Sequence, residues 1–368
     1  MHRKKITVVG IGRIGLCFAL VLEKAGYDVL GVDIIEDYVE RINSKKLMSR
    51  EKNVNKYLKK SKKFRATSNL KEAIFFSDTI FIMLRTKNLS NGKYDHCYVE
   101  KLIEDLKKLG RVKTTKDLVI CSNVIPGYSD EIQKRLNKFN YFVSFNPEWI
   151  AQGSIIRDFE NPDIVVIGEA NKKSGNKIES IHRSIGKSVV KVYRMNRLSG
   201  EIVKIGLNSF LTVKIAYANM LGDMAIQSGV DPFPILEALG GDSRIGKKYL
   251  GYGFGYGGPC FPRDTKAFIY YSKMLGLKPS IIESVIDSNE EHSNFQLQQF
   301  IKENDKSKPV IIDCVTYKKN TIIIEESQQL LFAFKLAKNG YTVIIEECQE
   351  VIDKVKSIYE DLFQYKVI

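Results

Sequence analysis

The chain has 368 residues, 44% hydrophobic and 27% charged, with a formal net charge of +14 at pH 7. This length predicts two or three domains, and the composition is typical of a globular protein. No apolar run reaches about 18 residues, which argues against a membrane span. The apolar run that follows the basic start MHRKK has the length of a strand rather than of a signal peptide.

The positive charge comes from scattered lysines, with one modest cluster at residues 59–65. No zinc-finger or RNA-recognition signature accompanies it, so we expect a solvated, lysine-rich surface and no nucleic-acid partner. The six cysteines form no C-x-x-C pair and no metal-ligand spacing with the four histidines. The sequence therefore predicts no metal site and a reduced, cytoplasmic location.

The opening segment predicts a strand at 6–9, a glycine-rich turn, a helix at 16–25 and a second strand at 28–33. The glycines at 10, 12 and 15 spell G-x-G-x-x-G between the first strand and the helix. This context is the dinucleotide fingerprint, in which the turn places a pyrophosphate at the helix N-terminus.

Asp33 ends the second strand, 18 residues after Gly15. Its carboxylate can accept hydrogen bonds from ribose hydroxyls, and it would repel a 2′-phosphate. The segment therefore predicts a site for NAD rather than NADP.

Further strands are predicted at 78–84, 117–124, 141–146 and 163–168, and helical patterns lie between several of them. This alternation indicates a mainly parallel, doubly wound α/β sheet, which binds ligands at the carboxyl ends of its strands. Four polar residues lie at or just after the carboxyl ends of predicted strands: Thr86, Ser122, Asn123 and Glu148.

Residues 199–228 have a long helical pattern. Six apolar residues can share a broad face of this helix: Ile202, Ile205, Phe210, Val213, Tyr217 and Leu221. Glu201, Lys204 and Asn208, at i, i+3 and i+7, share a second stripe, which on helical spacing alone is a solvated edge of a core helix.

The last sixty residues repeat the opening order of strand, helix, Gly-Tyr-x-Val and strand, with Gly340, Tyr341 and Val343 matching Gly26, Tyr27 and Val29. This order predicts a second, half-sized Rossmann-like unit. No glycine fingerprint follows its first strand, so we expect no second NAD site.

The stretch at 251–264 reads GYGFGYGGPCFPRD. Its glycines and prolines predict a shaped loop rather than a regular element. Most lone cysteines are small buried hydrophobes, as we expect for Cys17, Cys121 and Cys314. Cys260 differs because it stands at the end of this loop, and it is the candidate nucleophile.

Four motifs resemble the UDP-glucose/GDP-mannose dehydrogenase family and follow its order: FNPEWIAQG, EIVKIGLNSF, GDSRIG and the cysteine loop. The resemblance implies an N-terminal Rossmann doubly wound domain (1–195) that binds NAD, a central helical dimerisation segment with the catalytic loop (196–295) and a short C-terminal Rossmann-like α/β domain (296–368). It also implies a nucleotide-sugar substrate and a homodimer.

The implied reaction oxidises the primary alcohol of a UDP-glucose-like nucleotide sugar to a carboxylate, for the synthesis of surface-polysaccharide precursors. An aldehyde must gain a nucleophile before a second oxidation, and a thiol suits this step. The resemblance assigns the thiohemiacetal and thioester to Cys260, oxyanion stabilisation to Lys204 and Asn208, placement of water to Asp264 and its activation to Glu148.

The remaining implied contacts fall into two sets. The cofactor set is Gly10, Gly12, Ile14, Gly15, Asp33, Thr86, Asn123, Gln152 and Arg263. The substrate set is Glu148, Lys204, Asn208, Arg244, Tyr249, Gly257 and Lys318.

Several positions depart from the family pattern. Asn123 replaces a threonine, Gln152 a second glutamate, Arg263 a lysine and Glu325 an arginine, and the C-terminal domain is short. Two alternatives therefore stay open beside four-electron oxidation. One is a dehydrogenase that stops at the aldehyde or uses a different nucleotide-linked alcohol or polyol, and the other is a catalytically silent binding protein.

Overall fold

The computed structural model describes residues 4–368, so the first three residues of the basic start lie outside the described part. The chain divides into two compact units, Met1–Lys204 and Ile205–Ile368. The predicted division into three domains stays a prediction beside this one.

The first unit contains an eight-stranded sheet and a two-stranded hairpin. Its strands are β1 (Lys5–Val9), β2 (Asp28–Val32), β3 (Phe64–Thr67), β4 (Thr79–Ile82), β5 (Lys87–Asn88), β6 (Tyr94–Asp95), β7 (Lys116–Ile120), β8 (Tyr141–Phe145), β9 (Val165–Gly168) and β10 (Val192–Met195). The sheet order is β10-β9-β8-β7-β4-β1-β2-β3. Pairing is parallel from β3 to β8, and a single antiparallel bridge joins β8 to β9.

Helices connect these strands. They are α1 (Arg13–Lys24), α2 (Glu36–Asn43), α3 (Val54–Lys60), α4 (Leu70–Phe76), α5 (Cys97–Lys108), α6 (Tyr128–Leu136), α7 (Ile155–Glu160), α8 (Lys172–Ile185) and α9 (Arg197–Gln227), which continues into the second unit. Every residue of β4 and β7 is buried, as expected of strands covered on both faces. Phe18 of α1 packs on Phe81 and Phe159 with ring centroids 4.9 and 5.0 Å apart. The predicted doubly wound, mainly parallel fold is confirmed.

The second unit is helical at first and ends in a small parallel sheet, β11-β12-β13. Its elements are α10 (Pro232–Gly241), α11 (Phe261–Met274), α12 (Ser280–Glu303), β11 (Val310–Ile312), α13 (Gln328–Lys338), β12 (Val343–Glu347), α14 (Gln349–Tyr359) and β13 (Gln364–Val367). The predicted Rossmann-like unit at the end of the chain is present, with a third strand that the sequence pattern did not indicate. Over residues 4–368, no helix has both the length and the apolar character needed to cross a membrane.

Candidate active site

The glycine turn between β1 and α1 is shaped by its own packing. Gly10 has φ +88°, and a Cβ there would lie 2.8 Å from the carbonyl oxygen of Met83. A Cβ at Gly15 would collide with the carbonyl oxygen of Gly10, so α1 lies directly against the turn. Gly12 precedes α1, and the space that its Cβ would fill is open. The turn therefore fits a pyrophosphate at the N-terminus of α1.

The carboxyl ends of the parallel strands bring the other predicted cofactor residues of the first unit to one edge of the sheet. Asp33 follows β2, Thr86 lies beyond β4, Asn123 follows β7 and Ile14 lies in the first turn of α1. The backbone N–H of Ile35 donates to Asp33 Oδ1 at 3.2 Å. These residues lie at the edge at which such sheets bind nucleotides.

Two contacts hold the loop that follows β8. Arg13 Nη1 donates to Gln152 Oε1 at 2.5 Å, and the backbone N–H of Gly153 donates to Glu51 Oε1 at 2.5 Å. The predicted cofactor residue Gln152 is thereby linked to the residue that follows Gly12. Sequence reasoning missed Arg13 and Glu51, because no local pattern relates them to this loop.

Glu148 lies in the same loop, and its Oε1 is buried without a hydrogen-bond partner. Burial raises the pKa of Glu148 to about 8, although the charge of Lys204 and a hydrogen bond with the Cys121 thiol act in the opposite direction. Lys204 Nζ donates to the carbonyl oxygen of Glu148 at 2.7 Å and lies 4.6 Å from the ring centroid of Trp149. Glu148 can therefore accept or release a proton near neutral pH.

A buried histidine fixes the start of this loop. Asn146 donates its backbone N–H to the carbonyl of Ile120 at 2.8 Å and its Nδ2 to the carbonyl of Val166 at 2.9 Å. His182 Nε2 lies 2.6 Å from Asn146 Oδ1, which can only accept, so Nε2 carries the proton. Burial lowers the pKa of His182 to about 4, so the ring is neutral. His182 was not predicted, since it is an isolated residue in a helical pattern.

Helix α9 is tied to the N-terminus of α6. Glu201 accepts the backbone N–H groups of Gly127 and Ser129 at 2.6 and 2.9 Å, and Arg197 Nε donates to Asp130 Oδ1 at 2.5 Å. Burial raises the pKa of Glu201 to about 7. Glu201, Lys204 and Asn208 are 0%, 8% and 8% exposed, so the interpretation of this stripe as a solvated edge is wrong. These polar side chains are buried because each has hydrogen-bond partners.

In the second unit, four predicted residues come together at the start of α11. Cys260 is exposed and immediately precedes this helix. Asp264 is fully buried and accepts from Asn208 Nδ2 at 2.5 Å and from Arg263 Nε at 3.0 Å. The backbone N–H of Asp264 donates to the carbonyl of Cys260 at 2.8 Å. The thiol therefore stands at a helix N-terminus, which favours an anion.

The predicted substrate residues of this unit have varied surroundings. Tyr249 has φ +62° and packs edge-to-face on Phe261, beside Cys260, with centroids 6.0 Å apart. Gly257 lies against the carbonyl oxygen of Glu326, where no side chain would fit. Lys318 is exposed. Arg244 is not brought into the cluster around Asp264, because its side chain is 86% exposed and pairs with Asp242 at 2.7 Å.

Among the residues that the structure describes, no three His, Cys, Asp or Glu side chains are grouped to hold a metal ion. Cys17, Cys121 and Cys314 are buried, as the sequence predicted.

Comparisons with known proteins place the chain in a family. Residues 4–186 match the NAD binding domain of the UDP-glucose/GDP-mannose dehydrogenase family, and residues 198–291 match its central domain. The chain is 29% identical over 345 residues to a UDP-glucose 6-dehydrogenase of Rickettsia bellii, covering 91% of this chain and 79% of that protein. It is 26% identical over 380 residues to a GDP-mannose 6-dehydrogenase of Pseudomonas savastanoi, covering 99% and 85%.

The structure resembles that of a UDP-glucose dehydrogenase from Pyrobaculum islandicum, with a TM-score of 0.90 at 28% identity over 100% of this chain and 87% of the other. The resemblance expected from the four motifs is thus confirmed. The chain belongs to the UDP-glucose/GDP-mannose dehydrogenase family, and its first unit carries that family's NAD binding domain.

Proposed function

We propose that the chain oxidises the primary alcohol of a UDP-glucose-like nucleotide sugar to a carboxylate. The observation that carries this proposal is the exposed Cys260 at the N-terminus of α11, four residues before a buried Asp264 that Asn208 and Arg263 hold. A thiol in this position suits covalent catalysis on an aldehyde. The proposal includes a cytoplasmic location, which the cysteine pattern predicts, and a role in the supply of surface-polysaccharide precursors, which the family resemblance implies.

Bound NAD supplies the hydride acceptor in each of two oxidations. Between them, the Cys260 sulfur adds to the aldehyde carbon, and the C=O bond becomes the hydroxyl of a thiohemiacetal. The second oxidation leaves a thioester. Water then attacks the thioester carbon, Glu148 accepts a proton from this water, and the thiolate of Cys260 leaves as the carboxylate forms. Lys204 and Asn208 donate to the oxygen that becomes negative, and Asp264 places the water.

The cofactor and substrate contacts follow the same proposal. The glycine turn binds the pyrophosphate, Asp33 binds the ribose hydroxyls, and Thr86, Asn123, Gln152, Ile14 and Arg263 complete the cofactor contacts. Arg244, Tyr249, Gly257 and Lys318 contact the sugar or its phosphates. The exposed Arg244 would have to leave Asp242 to do so.

Gln152 favours a second candidate, a dehydrogenase that stops at the aldehyde or acts on another nucleotide-linked alcohol. Its amide cannot accept a proton as a carboxylate would, and it is bonded to Arg13.

The test is a screen of nucleotide sugars and nucleotide-linked polyols with NAD, in which NADH is counted per molecule of substrate consumed. Two NADH and a carboxylate support the first candidate, whereas one NADH and an aldehyde support the second. Cys260→Ser should bind NAD as the wild type does and produce no carboxylate. A Cys260→Ser variant that makes carboxylate at a near wild-type rate would contradict the thioester route. A wild-type protein that binds NAD but turns over none of the substrates in the screen would support a silent binding protein.

A further inference from the structure

The glycine-rich loop that precedes Cys260 is held by the polar face of α12. The carbonyl of Gly253 accepts from His292 Nε2 at 2.6 Å and from Gln296 Nε2 at 3.2 Å. One helical turn earlier, Asn289 Oδ1 accepts the backbone N–H of Tyr256 at 2.8 Å, and Asn289 Nδ2 donates to the carbonyl of Tyr256 at 3.2 Å. A glycine-rich backbone loses more conformational entropy than other backbone when it becomes ordered. These hydrogen bonds offset part of that entropy loss and keep the loop in one conformation.

The second nitrogen of His292 faces a carboxylate of α9. His292 Nδ1 lies 2.9 and 2.8 Å from the two oxygens of Asp223, and the His292 side chain is 2% exposed. Tyr252, in the loop itself, donates its hydroxyl to Asp223 Oδ1 at 2.9 Å, and its ring packs edge-to-face on the imidazole at 5.5 Å. Burial and the hydrogen bond to Asp223 raise the pKa of Tyr252, so the phenol keeps the proton that it donates.

The hydrogen-bond partners of His292 indicate which of its ring nitrogens carry protons. A backbone carbonyl and an ionised carboxylate can only accept hydrogen bonds, so both nitrogens of His292 donate. Both ring nitrogens thus face oxygen acceptors, which is the hydrogen-bonding pattern of an imidazolium paired with a carboxylate inside the second unit. His96 and His182 differ, because burial lowers the pKa of each to about 4 and leaves the rings neutral.

We propose that His292 and Asp223 are positioning residues for the nucleophile, a charged clamp that fixes the loop backbone at Gly253 and so orients Cys260. The proposal rests on the role of Cys260 proposed above. The clamp acts on the loop and touches no reacting atom, so its loss lowers kcat and leaves the affinity for NAD, which the first unit binds, unchanged.

Four variants test the clamp. His292→Ala and Asp223→Ala each remove one half of it. Asp223→Asn is the conservative rescue, because an amide can donate to a neutral Nδ1 while Nε2–H stays on Gly253. Gln299→Ala is the control, since Gln299 lies on the same helix and bonds Gln227 at 3.4 Å near the surface.

Hydrogen exchange measured by mass spectrometry on the peptide spanning 251–260 reports on the loop without turnover. In both alanine variants the exchange rate should rise by about tenfold or more, the effect of losing one charge-assisted hydrogen bond. kcat should fall by a similar factor, and Kd for NAD should not change. Gln299→Ala should stay within about twofold of the wild type in all three quantities. Asp223→Asn, which keeps both hydrogen bonds of the ring but loses the charge, should fall between the wild type and Asp223→Ala in exchange rate and kcat, with Kd for NAD unchanged. Wild-type exchange in Asp223→Ala, or faster exchange with an unchanged kcat, would overturn the proposal.

Nitrogen NMR of histidine-labelled wild-type protein gives a separate readout, with His292 assigned from the variant that lacks it. At pH 7 we expect two protonated nitrogens at His292, and a single protonated nitrogen in Asp223→Asn. A neutral ring in the wild type would refute the charged clamp, even where His292→Ala fails to fold. If Cys260→Ser retains activity, the thioester route fails, while the exchange and NMR results still decide whether the clamp exists.

Discussion

Asp33 and Glu148 are carboxylates that follow two strands of one sheet, β2 and β8, and their surroundings give them different chemistry. Asp33 is partly exposed and accepts a backbone hydrogen bond from Ile35, which suits an acceptor for ribose hydroxyls. Glu148 has a buried oxygen without a partner, which suits proton transfer. Burial, rather than residue type, gives these two carboxyl groups different properties.

Because the pKa of Glu148 is raised to about 8, the rate of carboxylate formation should rise as pH increases through about 8, where the side chain becomes ionised. Glu148→Gln should remove this dependence and slow thioester hydrolysis by about 100-fold or more. Single-turnover kinetics from pH 6 to 9.5 measure both effects. A flat profile in the wild type would count against Glu148 as the base.

The same raised pKa affects stability. The folded state holds the Glu148 proton more tightly than the unfolded state, so this group's stabilising contribution is complete below about pH 4.5 and is lost as pH rises through about 8. The Tm of Glu148→Gln minus the Tm of the wild type should therefore be larger at pH 9 than at pH 6. Calorimetry at the two pH values tests this, with exposed Glu303→Gln as the control that should show no such difference.

Asp33 should set the choice between cofactors. The wild type should have a higher kcat/KM with NAD than with NADP. Asp33→Ser should lower the ratio of these two values by about tenfold or more, because no carboxylate then repels the 2′-phosphate of NADP. Steady-state kinetics with both cofactors measure this. A wild-type preference for NADP would show that Asp33 does not have this role.

Helix α9 has an unexpected distribution of side chains at the scale of the element. It buries Glu201, Lys204 and Asn208, while Phe210 is 61% exposed and Tyr217 51%. The predicted apolar face is therefore largely on the surface of the single chain, and only Ile205 of the predicted set falls below 9% exposure. Hydrogen bonding explains the buried polar side, and an exposed apolar stripe is typical of an interaction surface.

The glycine turn offers a matched pair of substitutions within one element. Gly15→Ala should lower the free energy of unfolding by about 1–3 kcal/mol, because the new Cβ collides with the carbonyl of Gly10. The Cβ added by Gly12→Ala would lie in open space, so the free energy of unfolding should change by no more than about 0.5 kcal/mol. The same Cβ would occupy the space proposed for the pyrophosphate, so NAD binding should weaken by about tenfold. Urea unfolding without cofactor and calorimetric titration of NAD separate the two effects. Equal stability of the two variants would contradict this assignment.

At the scale of the whole molecule, we expect a homodimer through the exposed apolar residues of α9. Phe210, Tyr217, Met220 and Met224 are each more than half exposed in the single chain. Phe210→Glu should shift the protein toward monomer, because a buried unpaired charge costs several kcal/mol in an interface. Light scattering at micromolar concentration gives the mass, and Phe75→Glu, on α4, is the matched control. A monomeric wild type would rule out this assembly.

Local sequence patterns were enough to predict the glycine turn, the position of Asp33 after a strand, the alternation of strands and helices in the first unit, and the loop that carries Cys260. These features are local, because turn residues and apolar periodicity reflect the conformation of adjacent residues. The same reasoning did not predict β3, β5, β6, β10 or β13. In β3 only Phe64 and Ala66 are buried, and β13 is mostly exposed. Neither strand therefore has the continuous apolar run that marks a buried strand in a sequence.

The distant residues that support the site could be identified only in the folded chain. The pairs Arg13–Gln152, Asn146–His182 and Asp223–His292 are each separated by more than thirty residues and leave no periodic trace in the sequence. Burial is likewise a property of the packed chain, so the raised pKa of Glu148 could not be read from its motif. Local conformation follows from neighbouring residues, whereas the environment of a side chain depends on every element that packs around it.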